Sequence, residues 1–498
     1  MGATFIARTS SQDGVPMKFR TPRPVIPMAV LALLGLIPDV ASAAAAMVPA
    51  EEGLGLDGSQ LGLLWVIPFA GILLSIALFP LFAPNFWHHH FGKVSAFWGM
   101  AVLIPMLIAF GPAVTTYEVL HVYLGEYIPF IILLLALFTI SGGVRLKGQL
   151  SGSPEVNVGI LALGTFLASW MGTTGAAMLL IRPLLRANAW RDRVVHTVIF
   201  FIFLVANIGG SLSPLGDPPL FLGFLQGVPF FWTTQHLLYE MTFMAVILLV
   251  IYYVWDRIQY AKEDQSRRPA SEERLGIEGG INLLLLLGVI GAVLFSGFVE
   301  LGSFEVYHVH IAYQNLIRDV VLLILTFASW KLTPKASREA NEFNWFPIQE
   351  VGKLFAGIFI TIVPAIAILK AGKAGALGFV VDLVTRPTGE PNNLAYFWIT
   401  GLLSGFLDNA PTYLVFFNTA GGQANLAVLL SEVKTLAAIS CGAVFLGAMT
   451  YIGNAPNFMV KSIAETSRIR MPSFFGYMVW SVGILGPLLL VMSLIFLR

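Results

Sequence analysis

The sequence predicts an all-α polytopic membrane protein made of two inverted repeats, each with a re-entrant hairpin and a broken transmembrane helix. Three observations carry this. Of 498 residues, 57% are hydrophobic and 11% charged, with a mean hydropathy of +0.79; soluble domains carry about 25% charged residues. Four apolar segments are interrupted by glycine or proline together with Asp, Asn or Thr. Those four interruptions share one register along the chain.

The elements follow in order. Met17–Arg20 reads as a basic n-region, Val25–Leu36 as a short apolar core and Ala41–Ala43 as a small-residue cleavage site. Residues 1–46 are therefore expected to be an N-terminal extension with a signal peptide. At about 20 residues per crossing, the first half covers 60–255. It holds spans at Leu61–Ala83, Val94–Gly111 and Tyr127–Ser141, a hairpin over 158–187 interrupted at Gly172 and Gly175, a broken helix over 194–228, and Leu237–Trp255. The break contains Gly209, Gly210, Pro214, Gly216, Pro218 and Pro219. Residues 256–278 form a charged loop, expected to be cytoplasmic. The second half, 279–498, holds Ile281–Val299, a short Val320–Trp330, a surface amphipathic helix over Phe346–Leu354, and a span over Leu354–Leu369. A hairpin over 394–420 interrupted at Asp408–Pro411, a broken helix over 435–463 interrupted at Gly453 and Pro456, and Phe474–Leu497 complete it.

Charge sets the orientation. If the mature N-terminus is outside and both hairpins are re-entrant, 19 Lys and Arg fall inside and 6 outside. Full crossings at the hairpins would instead put the basic residues of Asp256–Arg274 outside. Both mature termini are thus expected on the periplasmic side of a bacterial inner membrane. Gly172 to Gly216 spans 44 residues, as does Asn409 to Gly453, and one offset of 237 superimposes both pairs. Five crossings separate the hairpins, so the second unit is upside down relative to the first. Inverted repeats with discontinuous helices place a transport site near the midplane, where half-helix ends converge.

Asp217 and Asp408 are the acids at the breaks, and charge at membrane depth is retained for function. Each also reads as a helix cap. Thr173, Thr174, Asn207, Asn409, Thr412, Asn454 and Asn457 supply neutral oxygens of the kind hard cations take. Arg182 reads as an inner-face anchor or a carboxylate clamp, and Lys461 shares that ambiguity. His196 could titrate near neutral pH. His88, His89 and His90 read as an interfacial basic patch. The single Cys441 excludes an intramolecular disulfide. No phosphate loop, nucleophile elbow or metal-ligand spacing is present, and a net charge of +1 points to no nucleic acid.

Ala206–Pro219 resembles the broken-helix signature of the ion transporter superfamily, which includes arsenite permeases, sodium/proton antiporters and sodium-coupled citrate and dicarboxylate transporters. Leu407–Pro411 resembles the second-hairpin motif of its antiporter and arsenite branch. The whole is similar to the citrate transporter or sodium/proton antiporter branch. The resemblance implies a scaffold part, a transport part and a homodimer. It places Thr173, Thr174, Asn207 and Asp217 in one half-site, and Asp408, Asn409, Thr412, Asn454 and Asn457 in the other. Met171-Gly172 stands where antiporters often carry an Asp-Asn pair. The expectation is a transporter, not an enzyme, without cofactor, exchanging sodium for protons with sodium at Asp408 and Asp217. Sodium-coupled citrate or dicarboxylate transport is the alternative, and arsenite-type export a second one.

Overall fold

A computed structural model describes residues 54–148, 150–269 and 276–498. The expected signal peptide lies outside them. The helices are α1 (Ile67–Phe82), α2 (Pro84–Val122), α3 (Ile128–Ser141), α4 (Pro154–Met171), α5 (Thr173–Ala187), α6 (Val195–Leu204), α7 (Pro218–Leu225) and α8 (Trp232–Tyr260). They continue with α9 (Ile281–Phe298), α10 (Tyr313–Leu332), α11 (Phe346–Lys370), α12 (Asn393–Phe406), α13 (Asn409–Thr419), α14 (Val433–Leu446), α15 (Ala455–Thr466) and α16 (Phe474–Phe496). Short helices at Lys335–Ala340, Gly378–Val384 and Leu426–Ser431, several 3-10 turns and two small antiparallel strand pairings are also present. In the first, β1 (Arg145–Lys147) pairs antiparallel with β2 (Gly276–Glu278). In the second, β3 (Ser303–Val306) pairs with β4 (Val309–Ala312). Lys147 and Arg145 both bind Glu278 and hold its carboxyl below the ordinary range.

Seven helical stretches among the described residues are long and apolar enough to cross a membrane. Their burial separates them. The peripheral stretches Ile281–Phe298 and Phe474–Phe496 bury 28% of their most apolar window, whereas Val195–Leu212 buries 89%. The broken segment is therefore the axis of the molecule, with lipid-compatible side chains left to the outer helices. One group of helices, α1, α2, α3, α9, α10 and α11, packs mutually; α4–α8 pack with α12–α16.

All four interruptions are breaks between helices. Gly172 separates α4 from α5 with φ +82°, a conformation glycine adopts without a Cβ penalty. Pro218, Pro219, Pro411 and Pro456 all sit in the first turn of a following helix. There the missing N–H costs nothing, so these prolines start half-helices and do not kink intact ones. Gly216 passes so close to Gly210 that a Cβ would lie 2.1 Å from the Gly210 carbonyl oxygen. Gly453 repeats this against the Gly447 carbonyl at 2.6 Å. Both pairs obey the offset of the sequence repeat.

Three elements differ from expectation. The region after Gly111, expected to leave the helix, stays helical to Val122 and continues through a π-helical turn, Tyr123–Tyr127, into α3. Gly111 kinks α2 with φ +75°. The amphipathic start at Phe346 and the following span form one continuous helix, α11, because no breaker separates them. The span expected over Val320–Trp330 begins at Tyr313, with Arg318 and Asp319 buried and hydrogen-bonded to each other at 2.8 Å.

Candidate functional site

The tips of both hairpins and both broken helices meet at one cavity of about 110 Å³, room for several waters. Its polar wall is Thr173, Thr174, Asp217, Asp408, Asn409 and Asn454; the rest is apolar, including Leu137, Phe138, Phe221 and Phe355. Among the described residues no Lys, Arg or His lines it. Pro347 and Ile348, at the start of α11, form part of its rim.

Asp217 is the hub. It occupies the cap position before α7 but makes no capping bond, so the cap reading fails for it. Its oxygens face across the break instead. Oδ1 accepts from Asn454 Nδ2 at 2.9 Å and from Thr173 Oγ1 at 3.1 Å, and Oδ2 accepts from Asn409 Nδ2 at 2.5 Å. One carboxylate thus ties both hairpin tips to both broken helices. Asp217 is 1% exposed, and donors to a buried carboxylate offset its desolvation. Asn454 is the residue related to Asp217 by the repeat offset, so the two equivalents touch each other.

Asp408 behaves differently. It does cap its helix, with Oδ1 accepting from Ala410 N at 3.1 Å. It is half-buried and lines the cavity.

Asn207, Asn457 and Thr412 are expected site residues that do not line the cavity. Asn207 donates to Asn457 Oδ1 at 2.7 Å, and its own Oδ1 accepts from Asn454 Nδ2 at 3.3 Å. Asn457 donates to the Gly447 and Thr450 carbonyls at 2.8 and 2.9 Å. The pair satisfies backbone groups freed by the breaks and holds Asn454 in place. Thr412 donates back to the Asp408 carbonyl at 2.7 Å. These three are positioning residues.

Four helix N-termini, at Thr173, Pro218, Asn409 and Ala455, all line the cavity. Each carries a partial charge of about +0.5, so together they nominally balance two carboxylates.

The other singled-out residues lie elsewhere. Arg182 pairs with Glu342 at 3.0 Å, joining α5 to the segment before α11. Lys461 pairs with Glu465 at 2.8 Å. His88 stacks on Phe346 at 4.6 Å, while His89 and His90 bond to carbonyls one turn back at 2.8 and 3.1 Å. The described residues hold no cluster suited to a metal ion.

Sequence reasoning missed a buried network at the base of the first hairpin. Asp256, expected in the soluble loop, is 0% exposed. It binds Arg191 at 2.5 Å, His196 at 2.8 Å and Asn157 at 3.0 Å. Only the proximity of Arg191 and His196 to a span end hinted at it.

Residues 58–497 match the CitMHS_2 family model, described as "Putative citrate transport". No curated protein matches the chain. The match spans nearly all of the described residues and is consistent with the ion transporter superfamily. The chain belongs to this citrate transport family of multi-pass membrane transporters.

Proposed function

We propose that the protein is a secondary active transporter that exchanges sodium ions for protons by alternating access. The observation that carries this is the cavity wall, with two acids, neutral amides and hydroxyls, and no basic side chain. Hard cations take such oxygen ligands. Asp217 and Asp408 take the cation or the proton in turn, and Thr173, Thr174, Asn409 and Asn454 complete the shell. Because both ligands compete for the same carboxylates, the half-saturating sodium concentration rises as pH falls.

The cavity rim at Pro347 and Ile348 lies at the end of α11 that the basic-residue distribution assigns to the cytoplasm. On the other side Phe130 packs on Phe221, Phe355 and Phe359, with ring centroids 6.5, 4.9 and 5.7 Å apart. In this reading the cavity is open inward and sealed outward by aromatic rings. The protein sits in a bacterial inner membrane with both mature termini periplasmic, and works as a homodimer.

Sodium-coupled citrate transport is the second reading, favoured by the family's description and by the four N-termini at the cavity. Their nominal charge is about +2 and is already matched by the two carboxylates. A tricarboxylate would therefore need sodium bound first. Everted vesicles separate the readings. Sodium without citrate is expected to collapse a preformed pH gradient, and Asp408→Asn to abolish this. Labelled citrate uptake that requires a sodium gradient, with no response to sodium alone, would sink the exchange reading.

A further inference from the structure

Glu126 is a buried acid that the central cavity does not use. It lies in the π-helical turn Tyr123–Tyr127 between α2 and α3, a geometry that is rare and recurs at functional sites. Its residue is 9% exposed. Oε1 accepts from Gln226 Nε2 at 2.9 Å, and Oε2 has no partner among the described residues.

The partner matters as much as the acid. Gln226 follows the last residue of α7, and Asp217 precedes its first. A helix of eight residues is about 12 Å long. One short rigid element therefore has the central carboxylate at one end and the Glu126 contact at the other. Phe221, midway along α7, lines the cavity and packs on Phe130, one turn after Glu126. That aromatic layer separates the two carboxyls.

The turn packs against α2, α3, α7 and α11. Neither α3 nor α7 contains a charged residue. From α11, Lys370 acts on Glu126, and α2 contributes Glu118 and His121 further along its own helix. The hydroxyls of Tyr123 and Tyr127 are engaged by the Ala356 and Gly352 carbonyls at 2.8 and 2.9 Å. No basic side chain hydrogen-bonds to Glu126 among the described residues. A carboxylate buried with one oxygen free and one amide partner is costly in a low-dielectric interior. A proton or small cation on Oε2 removes that cost, and the Gln226 side chain can turn its carbonyl oxygen to the same ligand.

We propose that Glu126 and Gln226 form a second site for the exchanged proton or monovalent cation, across the Phe130–Phe221 layer from the cavity and linked to it through α7. This rests on the exchange reading above. The test uses purified full-length protein in weakly buffered detergent solution with a pH dye. Sodium chloride is added and released protons are counted for wild type, Glu126→Gln, Asp408→Asn and the double variant. Each single variant is expected to remove part of the release, and the double variant more than either, with Asp217 left as the remaining acid. Glu126→Asp, which keeps the carboxyl, is expected to keep the count while shifting the half-release sodium concentration severalfold; an unchanged value contradicts the proposal. Release from Glu126→Gln equal to wild type overturns the second site and leaves the exchange reading intact. Release from Asp408→Asn equal to wild type, with Glu126→Gln reduced, overturns the central site instead. No release from wild type overturns both.

Discussion

Asp217 and Asn454 are related by the 237-residue offset of the sequence, and Asn454 donates to Asp217 at 2.9 Å. An acid in both positions would place like charges side by side in a low-dielectric interior. An amide in both would leave no charge to bind a cation. The asymmetric pair gives one carboxylate and one donor, and Asn207 and Asn457 brace the donor from behind. Hydrogen bonds to charged groups contribute about 1.5–3 kcal/mol. Asn454→Ala is therefore expected to lose roughly that much stability, read as a lower thermal midpoint of the purified protein. An unchanged midpoint would mean that the amide does not carry the carboxylate. Asp217 and Asp408 were legible as site candidates, since an acid beside Gly and Pro in an apolar run has few other uses. Which of them caps its helix was not legible, because the choice depends on partners 192 and 237 residues away in sequence.

At the scale of elements, the four breaks were readable because glycine and proline act locally. Gly172 supplies a positive φ, and the prolines start helices. The close approaches of Gly216 to Gly210 and of Gly453 to Gly447 were visible only as a shared offset. Adding a methyl group at either site forces the backbone apart, because the obstructing atom is a carbonyl oxygen with no freedom to move aside. Gly216→Ala and Gly453→Ala are each expected to lower transport at least tenfold, with membrane insertion retained, as measured by flux normalised to protein in the vesicles. Retained flux in both would contradict a rigid break. The joining of α2 to α3 escaped the sequence reading because Gly111-Pro112 reads as a helix stop, whereas Gly111 only kinks the helix and Pro112 falls in the first turn after the kink. The length of α11 escaped it because polar residues at Gln349 and Glu350 mimic a surface segment.

Across the whole molecule, contacts between distant segments were beyond the sequence. The Asp256 network, the Glu126–Gln226 bond and the Arg182–Glu342 pair join residues 60, 100 and 160 positions apart. The last of these links α5 to the segment before α11. If the two helix groups move against each other during the cycle, that link must open. A double variant, Arg182→Cys with Glu342→Cys, joined by a short bis-maleimide, is expected to lose transport while each single variant keeps it. Full flux in the cross-linked protein would show that the two groups do not separate there. The central claim is that the two acids exchange sodium for protons without a carboxylate substrate. Its most direct test is sodium accumulation in proteoliposomes of purified protein under an imposed acid-inside pH gradient, with no citrate present. Uphill sodium entry that slows as external pH falls, and is absent in Asp217→Asn, is the predicted result. Sodium that stays at equilibrium until citrate is added would contradict the claim.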